Sequence, residues 1–142
     1  SDFADPKDLV KNVESARVIS KELKMKIKIR PHINEDGVKN PEYLINEKLA
    51  DLKNIQGLGG IKHGLDSSKK QQCEYTVFNL SAFDTVEPEM LKNKLNGIYK
   101  LYGEKYAGQR MVFIYKRKAV KVSWQDVVDG KATDLLKELQ EQ

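Results

Sequence analysis

The first clear rhythm in the chain is helical. Leu9, Val10, Val13 and Ala16 fall three and four residues apart, and Arg17 and Ser20 continue the same stretch. Asp5-Pro6-Lys7-Asp8 ahead of them supplies an N-cap, a proline at the first helical position and an acid in the positive first turn. This predicts a helix from Pro6 to about Ser20. From Leu23 the period falls to two. Leu23, Met25, Ile27 and Ile29 alternate with Lys24, Lys26, Lys28 and Arg30 until Pro31 ends the ladder. The pattern predicts a strand with one apolar and one cationic face, in a sheet covered on one side and wet on the other.

Asn34 to Gly37 reads as a polar turn. Asn40-Pro41-Glu42 then repeats the cap-and-proline device ahead of Tyr43, Leu44, Leu49, Leu52 and Ile55, predicting a second helix from Pro41 to about Gln56 that stops at Gly57. Residues 57–72 mix Gly, Ser and Lys without periodicity and read as a long mobile loop. Cys73 to Phe83, with Tyr75, Val77, Phe78 and Leu80, makes a second strand. Around Pro88 opens a third helix, whose Met90, Leu91, Leu95, Ile98, Tyr99, Leu101 and Tyr102 give a broad apolar face before Gly103. Arg110 to Lys116 is apolar on both faces, as in an interior strand, and Ala119 to Trp124 alternates again. The two read as a hairpin turning at Arg117-Lys118. A last helix runs from about Trp124 to Leu139, interrupted near Gly130, with Thr133 able to cap its second part.

The predicted order is α-β-α-β-α-β-β-α in a single domain over residues 1–142. It resembles the order of thioredoxin-like folds, but the Cys-x-x-Cys pair of their redox chemistry is absent, because Cys73 is the only cysteine. A strand with one wholly cationic face fits poorly between two helical layers. The expected class is therefore α+β, with a mixed or antiparallel sheet and helices mainly on one face.

Composition agrees with one domain. A chain of 142 residues, 39% hydrophobic and 32% charged, carries enough apolar surface for one core. No stretch approaches the roughly 20 apolar residues that span a bilayer, so the expected protein is soluble. Ser1 stands where an initiating Met would, which fits either a cytoplasmic protein or the mature part of an exported one. The lone cysteine excludes an internal disulfide and a thiolate metal cluster.

Chemistry is sparsely marked. His32 and His63 have no second ligand at zinc spacing, and Glu35-Asp36 lacks the alternating oxygens of a calcium loop. Gly57-Leu58-Gly59-Gly60 follows a predicted helix instead of a strand, unlike a phosphate-cradling loop. No nucleophile motif, catalytic residue, cofactor motif or metal site is indicated.

What remains is charge. The net charge is +4, with 25 Lys and Arg against 21 acids. Three basic groups stand out: Lys24, Lys26, Lys28 and Arg30 on the first strand; Lys116, Arg117, Lys118 and Lys121 on the hairpin; and Lys62, His63, Lys69 and Lys70 on the loop. If strand and hairpin share one sheet face, they form a basic surface for phosphates. Only four of the 25 cationic residues are Arg, the side chain that reads phosphates bidentately, and no aromatic ring interleaves with the first strand. The sequence is thus read as a non-enzymatic protein-interaction or structural domain of a larger assembly, with a protein as partner. The alternative is binding of nucleic acid or another polyanion through the Lys-rich sheet face.

Overall fold

The computed structural model describes residues 6–30 and 43–142, with side chains from residue 10 onward. Helix α1, Pro6–Leu23, leads into β1, Ile27–Ile29. Strands β2, Tyr43–Ile45, and β3, Lys48–Asn54, follow, then α2, Gly59–Lys70, β4, Tyr75–Asn79, and α3, Pro88–Tyr102. The chain finishes with β5, Arg110–Tyr115, β6, Lys118–Val122, α4, Trp124–Val128, α5, Ala132–Lys137, and a single 3-10 turn over Glu138–Gln140.

The strands form one sheet in the order β1-β2-β3-β4-β5-β6. β3, β4 and β5 run parallel through the crossovers α2 and α3, while β1–β2, β2–β3 and β5–β6 pair antiparallel. This is the expected α+β class with a mixed sheet, but the element order differs in two places.

The first difference lies at residues 43–54. The apolar residues there suit a helical period, yet Tyr43 and Ile45 on one side of Asn46-Glu47, and Ala50 and Leu52 on the other, also alternate. All four are buried in one cluster. Asn46 and Glu47 both have positive φ, 47° and 71°, as a two-residue type I′ hairpin turn requires. Asn46 also ties the turn to β1, accepting from the Lys26 backbone N–H at 2.9 Å and donating its own N–H to the Lys26 carbonyl at 2.8 Å. A hairpin with four buried side chains thus replaces the predicted helix over 43–56, whose first residues lie outside the described ones.

The second difference is the expected mobile loop at 57–72, which is helix α2. Its buried residues, Ile61, Gly64, Leu65 and Ser68, keep helical spacing, but two of them are small because the helix presses close to the sheet. A Cβ on Gly64 would stand 2.6 Å from Phe78 Cε1 and 3.1 Å from Lys53 Cγ.

The other expectations hold in outline. α1 runs three residues beyond Ser20, and Lys24, at φ 53°, breaks it before a β1 shorter than the alternating stretch. The last hairpin turns at Lys116-Arg117, one residue earlier than expected, since Tyr115 pairs with Lys118. Gly130, at φ +76°, separates α4 from α5. The α5 N-cap is Lys131 and not Thr133, while Ser123 and Asp126 form a reciprocal capping box on α4. Asp5, Pro31, His32, Glu35, Asp36 and Asn40 lie outside the described residues.

The sheet is covered on both faces, which corrects the picture of one wet side. One cluster, including Phe78, Phe113, Val120 and Leu95, lies beneath α2, α3, α4 and α5. The other, including Ile19, Val77, Val112 and Ile114, lies beneath α1. Helices therefore gather mainly on one face, with α1 alone on the other among the described residues.

Candidate functional site

In a strand, residues two apart share a face. On β3, Leu49, Asp51 and Lys53 point one way while Ala50 and Leu52 enter the α1-side core. The pairing Lys28 to Leu44 to Leu49 carries the same face out to β1. α2 covers β3 and β4 on this side, and Lys28 beyond it is exposed. Asp51 and Lys53 therefore stand where a packed face gives way to an open one bearing a cation.

Their geometry is specific. The Asp51 side chain is only 2% exposed, yet it is a carboxylate, so it requires compensation. Lys53 Nζ lies 3.0 Å from Asp51 Oδ2. From α2, Ser67 Oγ donates to the same oxygen at 3.5 Å, and Gln71 Nε2, from the residue that caps the helix, donates to it at 3.1 Å. Gln71 and Ser67 are themselves joined at 3.3 Å, which fixes the donor pair. All three contacts fall on Oδ2, leaving Oδ1 without a partner among the described residues. Lys53 keeps about a third of its side chain in solvent, so a buried acid is coupled to a cation that reaches the surface.

A second polar cluster lies farther along α2. Asp66 accepts from the buried Tyr106 hydroxyl and pairs with Lys62 at 3.0 Å and Lys105 at 2.9 Å. The Tyr106 hydrogen bond, aided by the two lysines, holds the Asp66 carboxyl well below the usual carboxylate range. Burial and the same bond push the Tyr106 phenol up. Trp124 Nε1 donates to the Tyr106 carbonyl at 2.9 Å, locking this residue from the other side. With every member paired, the cluster reads as a brace between α2 and the segment after α3.

The expected basic surface does not assemble. β1 and the β5–β6 hairpin occupy opposite parts of a six-strand sheet, and the outermost strands stand roughly 24 Å apart at about 4.8 Å per step. Lys28 pairs with Glu47 at 3.7 Å, and Lys24, Lys26 and Arg30 flank it. Across the sheet, Lys118 pairs with Glu22 of α1 at 3.4 Å, Lys121 lies on the α1 face opposite Val112, and Lys116 Nζ sits 5.1 Å over the Tyr115 ring. The Arg117 N–H donates to Gln142 Oε1 at 2.9 Å. The four residues expected on a loop lie on α2: Lys62 is held by Asp66, Lys69 donates to the Lys105 carbonyl at 2.7 Å, and His63 and Lys70 stand on its outer side.

Asp51, Lys53, Ser67 and Gln71 carry no mark in a helical reading of residues 43–56, because residues two apart on a helix face different ways. The signal that finds them is the Asp-x-Lys spacing inside a strand, and it becomes visible only once Asn46-Glu47 is read as a turn.

A family model for the contact-dependent growth inhibition CdiA C-terminal domain matches residues 39–120, more than half the chain, from β2 through most of β6. The chain belongs to this family. The match includes Asp51, Lys53, Ser67 and Gln71 and excludes α1, α4 and α5. Among solved structures, the CdiA C-terminal domain fold recurs in a CdiA-CT/CdiI toxin and immunity complex from Burkholderia pseudomallei. The TM-score is 0.60 at 16% identity, over 87% of this chain and 96% of that one. No curated protein matches. Among the described residues, no helix is long and apolar enough to cross a membrane, and no group of three or more His, Cys, Asp or Glu is placed to hold a metal ion.

Proposed function

We propose that this CdiA C-terminal domain is a toxin that hydrolyses nucleic-acid phosphodiesters at Asp51 and Lys53, and that it is neutralised by an immunity protein as partner. The observation that carries the reading is the buried Asp51 carboxylate, held through Oδ2 and with Oδ1 unpaired among the described residues, beside the Lys53 ammonium. Hydrolysis needs a water positioned in line with the phosphorus and a cation for the charge that gathers on the phosphoryl oxygens. Asp51 Oδ1 can orient that water, and Lys53 Nζ can meet the charge. The water oxygen bonds to phosphorus and loses a proton to solvent, while the bond from phosphorus to the leaving sugar oxygen breaks and that oxygen takes a proton from solvent, giving a phosphomonoester and an alcohol.

Exposed Lys28 extends the same face toward a polyanion, so the expected binding of nucleic acid returns as substrate binding on one part of the sheet. The toxin and immunity complex of the structural relative supports a protein partner, and the CdiA family supports an origin in an exported protein.

The test is cleavage of RNA and DNA by the purified chain, with Mg²⁺ and with EDTA, beside Asp51→Asn and Lys53→Met. Each substitution should lower the rate at least about 100-fold while leaving the circular dichroism spectrum unchanged. Absence of cleavage of both polymers by the unsubstituted chain, or undiminished cleavage by both variants, refutes the proposal.

A further inference from the structure

A cavity of about 330 Å³ opens where β3, β4 and β5 end, on the face covered by α1. Asn54 closes β3 and Asn79 closes β4, while Ser81 and Lys116 follow β4 and β5. α1 contributes Lys11 and Glu14, and Val18 with Ile114 makes an apolar wall. In open sheets with parallel strands, the carboxyl ends are where loops and strand termini leave room for ligands.

The polar groups are ordered as a set. Asn79 Nδ2 donates to Asn54 Oδ1 at 2.8 Å, and Asn79 Oδ1 accepts the Ser81 N–H at 3.0 Å, so Asn79 is used on both sides. Asn54 is thereby oriented with its Nδ2 unpaired among the described residues. Ser81 Oγ accepts the Lys116 N–H at 2.8 Å and keeps its own hydroxyl proton to give. With the Lys11 ammonium, the cavity offers three kinds of donor and one carboxylate, Glu14.

We infer that this cavity binds one nucleotide. Lys11, Ser81 and Asn54 take the phosphate, Glu14 accepts from a sugar hydroxyl, and Val18 and Ile114 pack against the apolar part. The inference rests on the nuclease reading for its biological sense. Asn54 directly follows Lys53 and points to the opposite face, so a strand bent over the end of β3 lays one nucleotide in the cavity and the neighbouring phosphate at Lys53.

The test titrates adenosine monophosphate into the full chain carrying Asp51→Asn, followed by calorimetry, beside the same chain with Asn54→Asp or Glu14→Gln added. Asn54→Asp keeps the acceptor for Asn79, so the fold is retained, while it replaces the Nδ2 donor with an anionic oxygen that repels phosphate. Saturable binding at millimolar ligand is expected, displaced by inorganic phosphate and weakened about tenfold by either added change. No saturable binding, or binding insensitive to both changes, overturns the inference. The two proposals fail separately: cleavage undiminished by both Asp51→Asn and Lys53→Met removes the Asp51–Lys53 site alone, and cleavage without nucleotide binding removes the cavity alone.

Discussion

Gly64 sets how closely α2 can lie over the site, and its replacement by Ala opposes two effects of known size. Ala is favoured over Gly in a helix interior by about 0.8–1 kcal/mol. Against this, the new methyl would stand 2.6 Å from Phe78 Cε1 and 3.1 Å from Lys53 Cγ. The lysine stem can swing aside. The Phe78 ring cannot, being fully buried and stacked on Phe113 at 5.3 Å between centroids. Overpacking of this kind costs about 1–3 kcal/mol, so packing wins and Gly64→Ala should destabilise the domain by up to about 2 kcal/mol. Gly97 of α3 is the control: a Cβ there meets nothing within 4 Å, so Gly97→Ala should collect the propensity gain alone. Urea unfolding of both variants, and of Gly64→Ala combined with Phe78→Leu, reads the difference. Phe78→Leu should cost at least about 0.5 kcal/mol less when added to Gly64→Ala than when made in the unsubstituted chain, since it removes the obstructing edge. A Gly64→Ala variant as stabilised as Gly97→Ala would refute the close seating of α2.

Two further outcomes follow from local geometry. Because Asp66 titrates below its ordinary value near 4, its stabilisation is present above that pH and is lost as acid protonates the folded carboxylate. Asp66→Asn should therefore lower the thermal midpoint at pH 7, with the gap to the unsubstituted chain narrowing steadily below pH 4; a gap independent of pH would contradict the pairing. Glu47, at φ 71°, occupies the second position of the type I′ turn, where Gly is free of strain. Its exposed 3.7 Å pair with Lys28 is worth little, so Glu47→Gly should raise stability by about 0.5–1 kcal/mol in urea unfolding, and a loss would argue against the turn assignment.

Legibility in the sequence tracked how local the determining contacts are. α3, β5, β6 and the break at Gly130 announce themselves because long apolar rows and a positive-φ glycine suffice to define them. The β2–β3 hairpin did not, since Leu44, Leu49 and Leu52 fit a helix as well as two strands. What selects the strands is distant: pairing with β1 and β4, and the Tyr43 hydroxyl donating to the Asn12 carbonyl of α1 at 2.6 Å. α2 was hidden for a different reason, as its contact residues Gly64 and Ser68 are small and score as loop formers when their partner surface is unseen. Asp51 and Lys53 were lost with the hairpin, because their relation exists only in an extended backbone. The basic residues were easy to find and misleading to group, as chain order gave no hint that β1 and β6 end on opposite sheet edges.

The position of α1 also bears on how the molecule is completed. Its inner residues Ala16 and Ile19 share a cluster with Tyr43 near one edge of the sheet and with Ala119 of β6, and Glu22 pairs with Lys118 at the start of β6. The first helix of the chain thus has its seat built partly from the last hairpin, so loop closure across most of the chain must precede its docking. During synthesis, α1 would remain undocked until β6 has emerged, and the domain would acquire its second face only after its last hairpin is made.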